Sequence, residues 1–210
     1  MLTSKDPIEL YKEYFVDREF ERLDLFQLLA EQFNVQSALY PGSFVHITPS
    51  FVFPKTTYVD TDKRTKQFFQ FPEILDFIEQ HKIYPQSAEV SFHPTDYQNA
   101  LDEPDESYDL LISQYAGFVS QHGKGYLRIN GILLVNNSHG DASMASIDQD
   151  YEFIAAILKN KGKHRISEKD LDTYFVPKKP VEITKTFLEQ TQKGIGYRKT
   201  ASSYLFRRVK

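Results

Sequence analysis

The chain of 210 residues contains no cysteine and no tryptophan. The first absence excludes disulfides, thiol catalysis and cysteine-ligated zinc or iron–sulfur centres. Glycine is sparse, at nine residues. No Gly-x-Gly-x-x-Gly turn occurs, so a nicotinamide-dependent oxidoreductase lacks its phosphate-binding turn. No apolar run approaches the ~20 residues needed to span a bilayer, and no membrane partner is expected. Residues 1–15 mix Lys5, Asp6, Glu9, Lys12 and Glu13 with apolar side chains, so a signal-peptide core is not expected there. A cytoplasmic location follows by elimination. There is no basic excess either: the formal charge is −4, which gives no support to nucleic-acid binding by the whole surface.

What is present suits one globular domain. Hydrophobic residues make up 40% and charged ones 26%, and the aromatic content is carried by 17 Phe and 13 Tyr. Residues 1–34 read as helices: Pro7 suits a first turn, and Ile8, Tyr11, Tyr14 and Phe15 share one helical face. Leu25, Leu28, Leu29 and Phe33 form a second such face. From Gln36 the period changes, and short apolar runs alternate with helical stretches, the pattern of βαβ units and a largely parallel sheet. Strands are expected over Ser37–Tyr40, Thr56–Val59, Ala88–Phe92, Tyr108–Ser113 and Gly131–Asn136, and helices over Thr65–His81, around Phe118–Leu127 and over Asp148–Asn160. Pro49 and Pro54 leave room for only a short or broken helix between the first two strands. The whole is expected as a single domain: helices over 1–34, a core over 35–158, and a C-terminal extension over 159–210 that ends in a closing strand.

The most informative feature is a glycine turn followed by an acid. Ser37-Ala38-Leu39-Tyr40 runs into Pro41-Gly42-Ser43, and the next strand ends in Asp60-Thr61-Asp62. In doubly wound α/β folds, glycine after the first strand admits close approach of a ligand, and a carboxylate at the tip of the second accepts hydrogen bonds from ribose hydroxyls. Eighteen positions separate Gly42 from Asp60, near the roughly 20 that this geometry requires. Asp60, ending the strand, is the candidate for the ribose; Asp62, beginning the next helix, is also placed to cap it.

The order of these pieces resembles the Rossmann-like, class I S-adenosylmethionine-dependent methyltransferases. Ala38-Leu39-Tyr40-Pro41-Gly42-Ser43 stands where that family has its first strand and glycine turn, and Tyr58-Val59-Asp60-Thr61-Asp62 resembles the second strand with its ribose acid. Phe92-His93-Pro94-Thr95-Asp96 is similar to the third strand and the polar residue that meets the adenine. Tyr108–Ser113 and Leu127–Val135 resemble the fourth and fifth strands, and Tyr204–Arg208 the closing one. The resemblance implies a three-layer fold with helices on both faces of a mostly parallel sheet whose last strand is antiparallel. It implies S-adenosylmethionine as cofactor, held by Tyr40, Pro41, Gly42, Ser43, Asp60, Thr61, Asp62, Asp96, Ser113 and Gln114, and methyl transfer as the activity. The acceptor, the catalytic residues and the oligomeric state are not legible.

The chain departs from the family at the turn. Tyr40 replaces the usual acid, and Phe44 and His46 occupy positions of later glycines. Three outcomes stay open: another path for the loop, weak cofactor binding, or a pocket given to something else. The rival reading is therefore a non-catalytic nucleoside-binding or protein-interaction module of the same fold.

Other clusters carry less. His139 and Asp141 lie in the polar segment 136–141, where the histidine is a candidate base and the aspartate a candidate orienting group or cation ligand. No histidine spacing suggests a metal site. Lys159, Lys161, Lys163, His164 and Arg165 are candidates to meet phosphates but read first as a solvated, flexible loop, and Arg198, Lys199, Arg207, Arg208 and Lys210 as charges alternating along an edge strand. An RNA-modifying version of the enzyme requires those two basic groups to converge.

Overall fold

The structure, a computed structural model, describes residues 6–210; the first five residues of the leader reading and of the expected N-terminal helices lie outside the described residues. The chain divides into two compact units, residues 1–99 and 100–210.

The first unit begins with helix α1, Pro7–Tyr11, capped by Asp6, whose side chain accepts from the Ile8 amide at 2.9 Å. One wider π turn, Lys12–Val16, follows. It brings Phe15 onto the His46 ring at 4.2 Å while Tyr11 meets Phe51 edge-on at 6.0 Å. Helix α2, Leu23–Phe33, buries Leu25, Phe26 and Leu29 and ends at Asn34 in the left-handed conformation. Strand β1, Ser37–Pro41, pairs in parallel with β2, Lys55–Val59, which pairs in parallel with β3, Glu89–His93. The spatial order is β3-β2-β1. A short 3-10 turn, Thr48–Phe51, connects the first two strands, as the prolines require.

The long helix expected over 65–81 is instead two: α3, Lys63–Phe68, and α4, Pro72–His81. Pro72 has no N–H and disfavours helical backbone at the residue before it, so Phe71 is extended and Pro72 opens a new first turn.

In the second unit, β4 (Tyr108–Ser113) pairs in parallel with β5 (Leu127–Val135), and β5 pairs antiparallel with β8 (Ser203–Arg208). Beyond β8 lie β6 (Tyr151–Asn160) and then β7 (Lys163–Ser167), giving the order β4-β5-β8-β6-β7. The intervening helices are short: α5, Val119–His122; α6, Asp141–Ile147; and α7, Lys185–Thr191.

Two expectations fail here. Residues 148–160, expected as a helix, form β6, and the helix of that crossover is the earlier α6. The strand is set by non-local pairing: Ala155, Ala156 and Ile157 are buried and paired with β8, the last two with β7 as well, and Phe153 packs into a cluster with Tyr174, Phe175, Tyr204 and Phe206. Such tertiary contacts override the modest helix preference of alanine and leucine. Secondly, β8 is not an edge strand, because β5 and β6 flank it. Among the described residues, no helix is long and apolar enough to cross a membrane.

Candidate functional site

In the first unit the turn after β1 is built on two left-handed residues, Gly42 at φ 66° and Phe44 at φ 47°. The Gly42 amide donates to the Val59 carbonyl at 2.7 Å, which ties the turn to the end of β2. Glycine enters this backbone region without penalty, whereas an L-residue is strained there by about 1–2 kcal/mol. Phe44, which the sequence resemblance aligns with a glycine, thus has a glycine-like backbone. Its ring meets Tyr14 at 5.0 Å between centroids, and the Arg64 guanidinium lies over it at 4.6 Å.

Asp60, just past β2, holds this conformation. Its Oδ2 accepts from the Phe44 amide at 2.7 Å and its Oδ1 from the Asp62 amide at 2.8 Å. Hydrogen bonds to a carboxylate are charge-assisted and worth about twice neutral ones. Asp62 caps α3: its Oδ1 accepts from the Arg64 amide at 2.8 Å, and its Oδ2 pairs with the Arg64 guanidinium at 2.7 Å. That guanidinium, ahead of the opposing cost of desolvation, holds the Asp62 carboxyl below the usual range. Thr61 is exposed between them.

The rest of the turn faces inward. Tyr40 is buried and its hydroxyl meets His46 Nδ1 at 3.1 Å, while His46 Nε2 meets the Glu21 carbonyl at 3.0 Å. Burial first, and the Arg22 charge second, push the His46 pKa down to about 3, so the ring is a neutral bridge. Pro41 is buried at the end of β1, opposite Val59, and Ser43 is buried with its hydroxyl donating to the Phe44 carbonyl. Asp96 is exposed and accepts from the Gln98 amide at 2.9 Å, closing a local turn.

In the second unit, Ser113 and Gln114 lie at the carboxyl end of β4, both buried. The Ser113 hydroxyl donates to Asp141 Oδ2 at 2.5 Å. Asp141 also accepts from the Ser120 amide at 3.0 Å and the Ser120 hydroxyl at 2.5 Å. Burial raises its pKa to about 6 against those hydrogen bonds. Gln114 accepts from Asn136 at 3.3 Å and donates to Ser203 at 3.4 Å. The suggested pairing of His139 with Asp141 does not form: His139 is exposed and the carboxylate is turned to Ser113 and Ser120.

Sequence reasoning missed Ser120 altogether; its one signal was an acid directly after Gly140, opening a helix beside a strand end. No group of residues suited to a metal ion occurs among the described residues. Of the second basic group, Arg207 and Arg208 face Glu152 and Glu106 toward the start of β6, whereas the cluster at 159–165 lies at the opposite end of that strand; Lys199 meets Asp170 at 3.7 Å.

The fold is the Rossmann-like class I methyltransferase fold, α/β with mostly parallel strands, an antiparallel closing strand and helices around the sheet. An O-methyltransferase assignment from Klebsiella pneumoniae has a similar structure at TM-score 0.52 and 11% identity, over 79% of this chain and 89% of that one. The O-methyltransferase TomG from Streptomyces achromogenes, solved with S-adenosylmethionine, is similar at TM-score 0.50 and 13% identity, over 79% and 89%. The YcgJ protein of Bacillus subtilis is similar at TM-score 0.50 and 15% identity, over 90% and 98%. No protein-family model matches the chain, and no curated protein does.

Proposed function

We propose that the chain binds S-adenosylmethionine and transfers its methyl group to an acceptor that the residues do not identify. The observation that carries this reading is the clasp between Asp60 and the glycine-like turn at Phe44. A carboxylate presents about four lone-pair positions. The Phe44 and Asp62 amides take two, and Asp60 is half-buried rather than sealed. Capacity for two ribose hydroxyls remains, so the residues present fit the group.

On this reading Asp60 accepts the ribose hydroxyls. Gly42, with Tyr40, Pro41 and Ser43, offers backbone on which the ligand rests, and Thr61 and Asp62 keep the carboxylate oriented. Asp96 meets the adenine amino group. The bound cofactor supplies a methyl group on an activated sulfonium. Its displacement gains rate from orientation and exclusion of water, so an acid–base pair is not obligatory. The titratable groups near the turn agree with that: His46 is neutral and enclosed and Asp62 is paired.

Calorimetric titration with S-adenosylmethionine and S-adenosylhomocysteine tests the proposal. Saturable heat with each is expected, and no heat at millimolar ligand overturns it. One observation favours the second reading, a nucleoside-binding or protein-interaction module without catalysis. The Phe44 ring stands at a glycine position, wedged between Tyr14 and Arg64. Binding of S-adenosylhomocysteine alone would select that reading.

A further inference from the structure

The second unit carries a feature that methyl transfer leaves unused. Strand β6 loses its β8 partner after Ile157, which pairs with Ser203. From there β6 and β7 pair only with each other: Leu158 with Arg165, Lys159 with His164, Asn160 with Lys163. At about 3.3 Å per residue, this two-stranded ribbon extends about 10 Å beyond the last residue paired with β8. Lys161 at φ 48° and Gly162 at φ 81° close it, both central residues being left-handed as in a type I′ hairpin. The segment is therefore an ordered arm, not the solvated loop that its composition suggested.

Its charge is of one sign. No acid occurs from Phe153 to Ser167. Lys159, Lys161, Lys163 and Arg165 are all exposed, and none has a side-chain hydrogen bond or ion pair among the described residues. Cross-strand partners share a face, so Lys163 and Arg165 lie on one side of the ribbon with Asn160, Lys159 lies on the other, and Lys161 is at the tip. The tip, Asn160-Lys161-Gly162-Lys163, has no apolar residue to insert into a bilayer. Cations on both faces of a slim ribbon complement two flanking rows of phosphates. The major groove of duplex DNA, about 12 Å wide, admits a two-stranded β-ribbon.

We propose that the ribbon over residues 158–165 is a docking arm for duplex DNA, held through phosphate contacts by Lys159, Lys161, Lys163 and Arg165. The proposal is independent of cofactor binding. It concerns one arm, so the overall negative charge is compatible with it.

Fluorescence anisotropy with a labelled DNA duplex of about 20 base pairs is the test. Four phosphate contacts give a log–log salt slope of about −3.6, or roughly 150-fold weaker binding between 50 and 200 mM salt. Replacing the four ribbon cations together by Gln should abolish binding, and Lys161→Gln alone should flatten the slope by about 0.9. A matched variant, with Gln at Lys66, Lys178, Lys179 and Lys193, removes the same charge from exposed positions elsewhere and should bind as the parent does. No anisotropy change at 50 mM salt, equal weakening in both four-site variants, or retention by phosphatidylserine vesicles in place of the duplex would each overturn the proposal.

Discussion

Asp141 offers the sharpest quantitative test of the structure. Its carboxyl is buried and its pKa stands at about 6, against about 3.9 in an unfolded chain. A carboxyl whose folded pKa is raised favours the folded state when protonated. Its contribution is fully present below the unfolded pKa and is lost as pH rises through the folded one. A tenfold difference in acidity between the two states corresponds to about 1.36 kcal/mol, so the full loss is about 3 kcal/mol, of which roughly half falls between pH 5 and 8. Asp141→Asn keeps the size and one acceptor oxygen but removes the ionisation. The two serine hydroxyls can rotate, so Ser113 or Ser120 can accept from the new amide. Urea unfolding of both proteins at several pH values measures the difference. The variant should gain on the parent by about 1 kcal/mol from pH 5 to pH 8. A difference that stays flat, or one that moves toward the parent as pH rises, refutes the placement of this carboxyl.

Further outcomes follow from individual contacts. Asp60→Ala strands the Phe44 and Asp62 amides; urea unfolding should show a loss of about 1–3 kcal/mol, and titration should show no binding of S-adenosylmethionine. Asp62→Ala removes the cap of α3 and should cost about 1 kcal/mol by the same unfolding measurement. Gly140 has φ 90°, and a Cβ there would approach the Lys193 carbonyl oxygen to 2.9 Å; Gly140→Ala should destabilise by about 1–3 kcal/mol in thermal or urea unfolding. Leu133, fully buried in β5, should cost about 2–5 kcal/mol as Ala.

The parallel strands were legible because their information is local. A short apolar run bounded by turn residues suffices to mark β1, β2 and β4 within a residue. Asp62 as a helix cap was legible for the same reason. Residues 151–160 were not, because Ala155, Ala156 and Leu158 satisfy a helix as readily as a strand. Only the distant segments 163–167 and 203–208 determine the choice. The Ser113–Asp141–Ser120 cluster lay beyond reach for a similar reason. Its members come from β4, α5 and α6, and no spacing along the chain announces that three such elements end together.

The turn at residues 42–44 shows how a motif can be absent as letters and present as backbone. Glycine is selected at such positions by a positive φ or by close approach of a neighbour. At Phe44 the first condition is met without glycine, because the Asp60 carboxylate holds the amide and the Tyr14 and Arg64 side chains seat the ring. A strained residue persists only where its surroundings over-determine it, and three separate partners do so here. The carboxylate therefore has a structural duty that would preserve it with or without a ligand. Loss of fold stability in Asp60→Ala is consequently expected under either functional reading. Phe44→Gly tests whether the ring obstructs a nucleoside site, since glycine relieves the left-handed strain and removes the ring while leaving Asp60 and its clasp on the amide in place. Tighter S-adenosylmethionine binding in that variant would mark the ring as an obstacle laid over a working site. Absence of binding in parent and variant alike would assign the clasp to architecture alone.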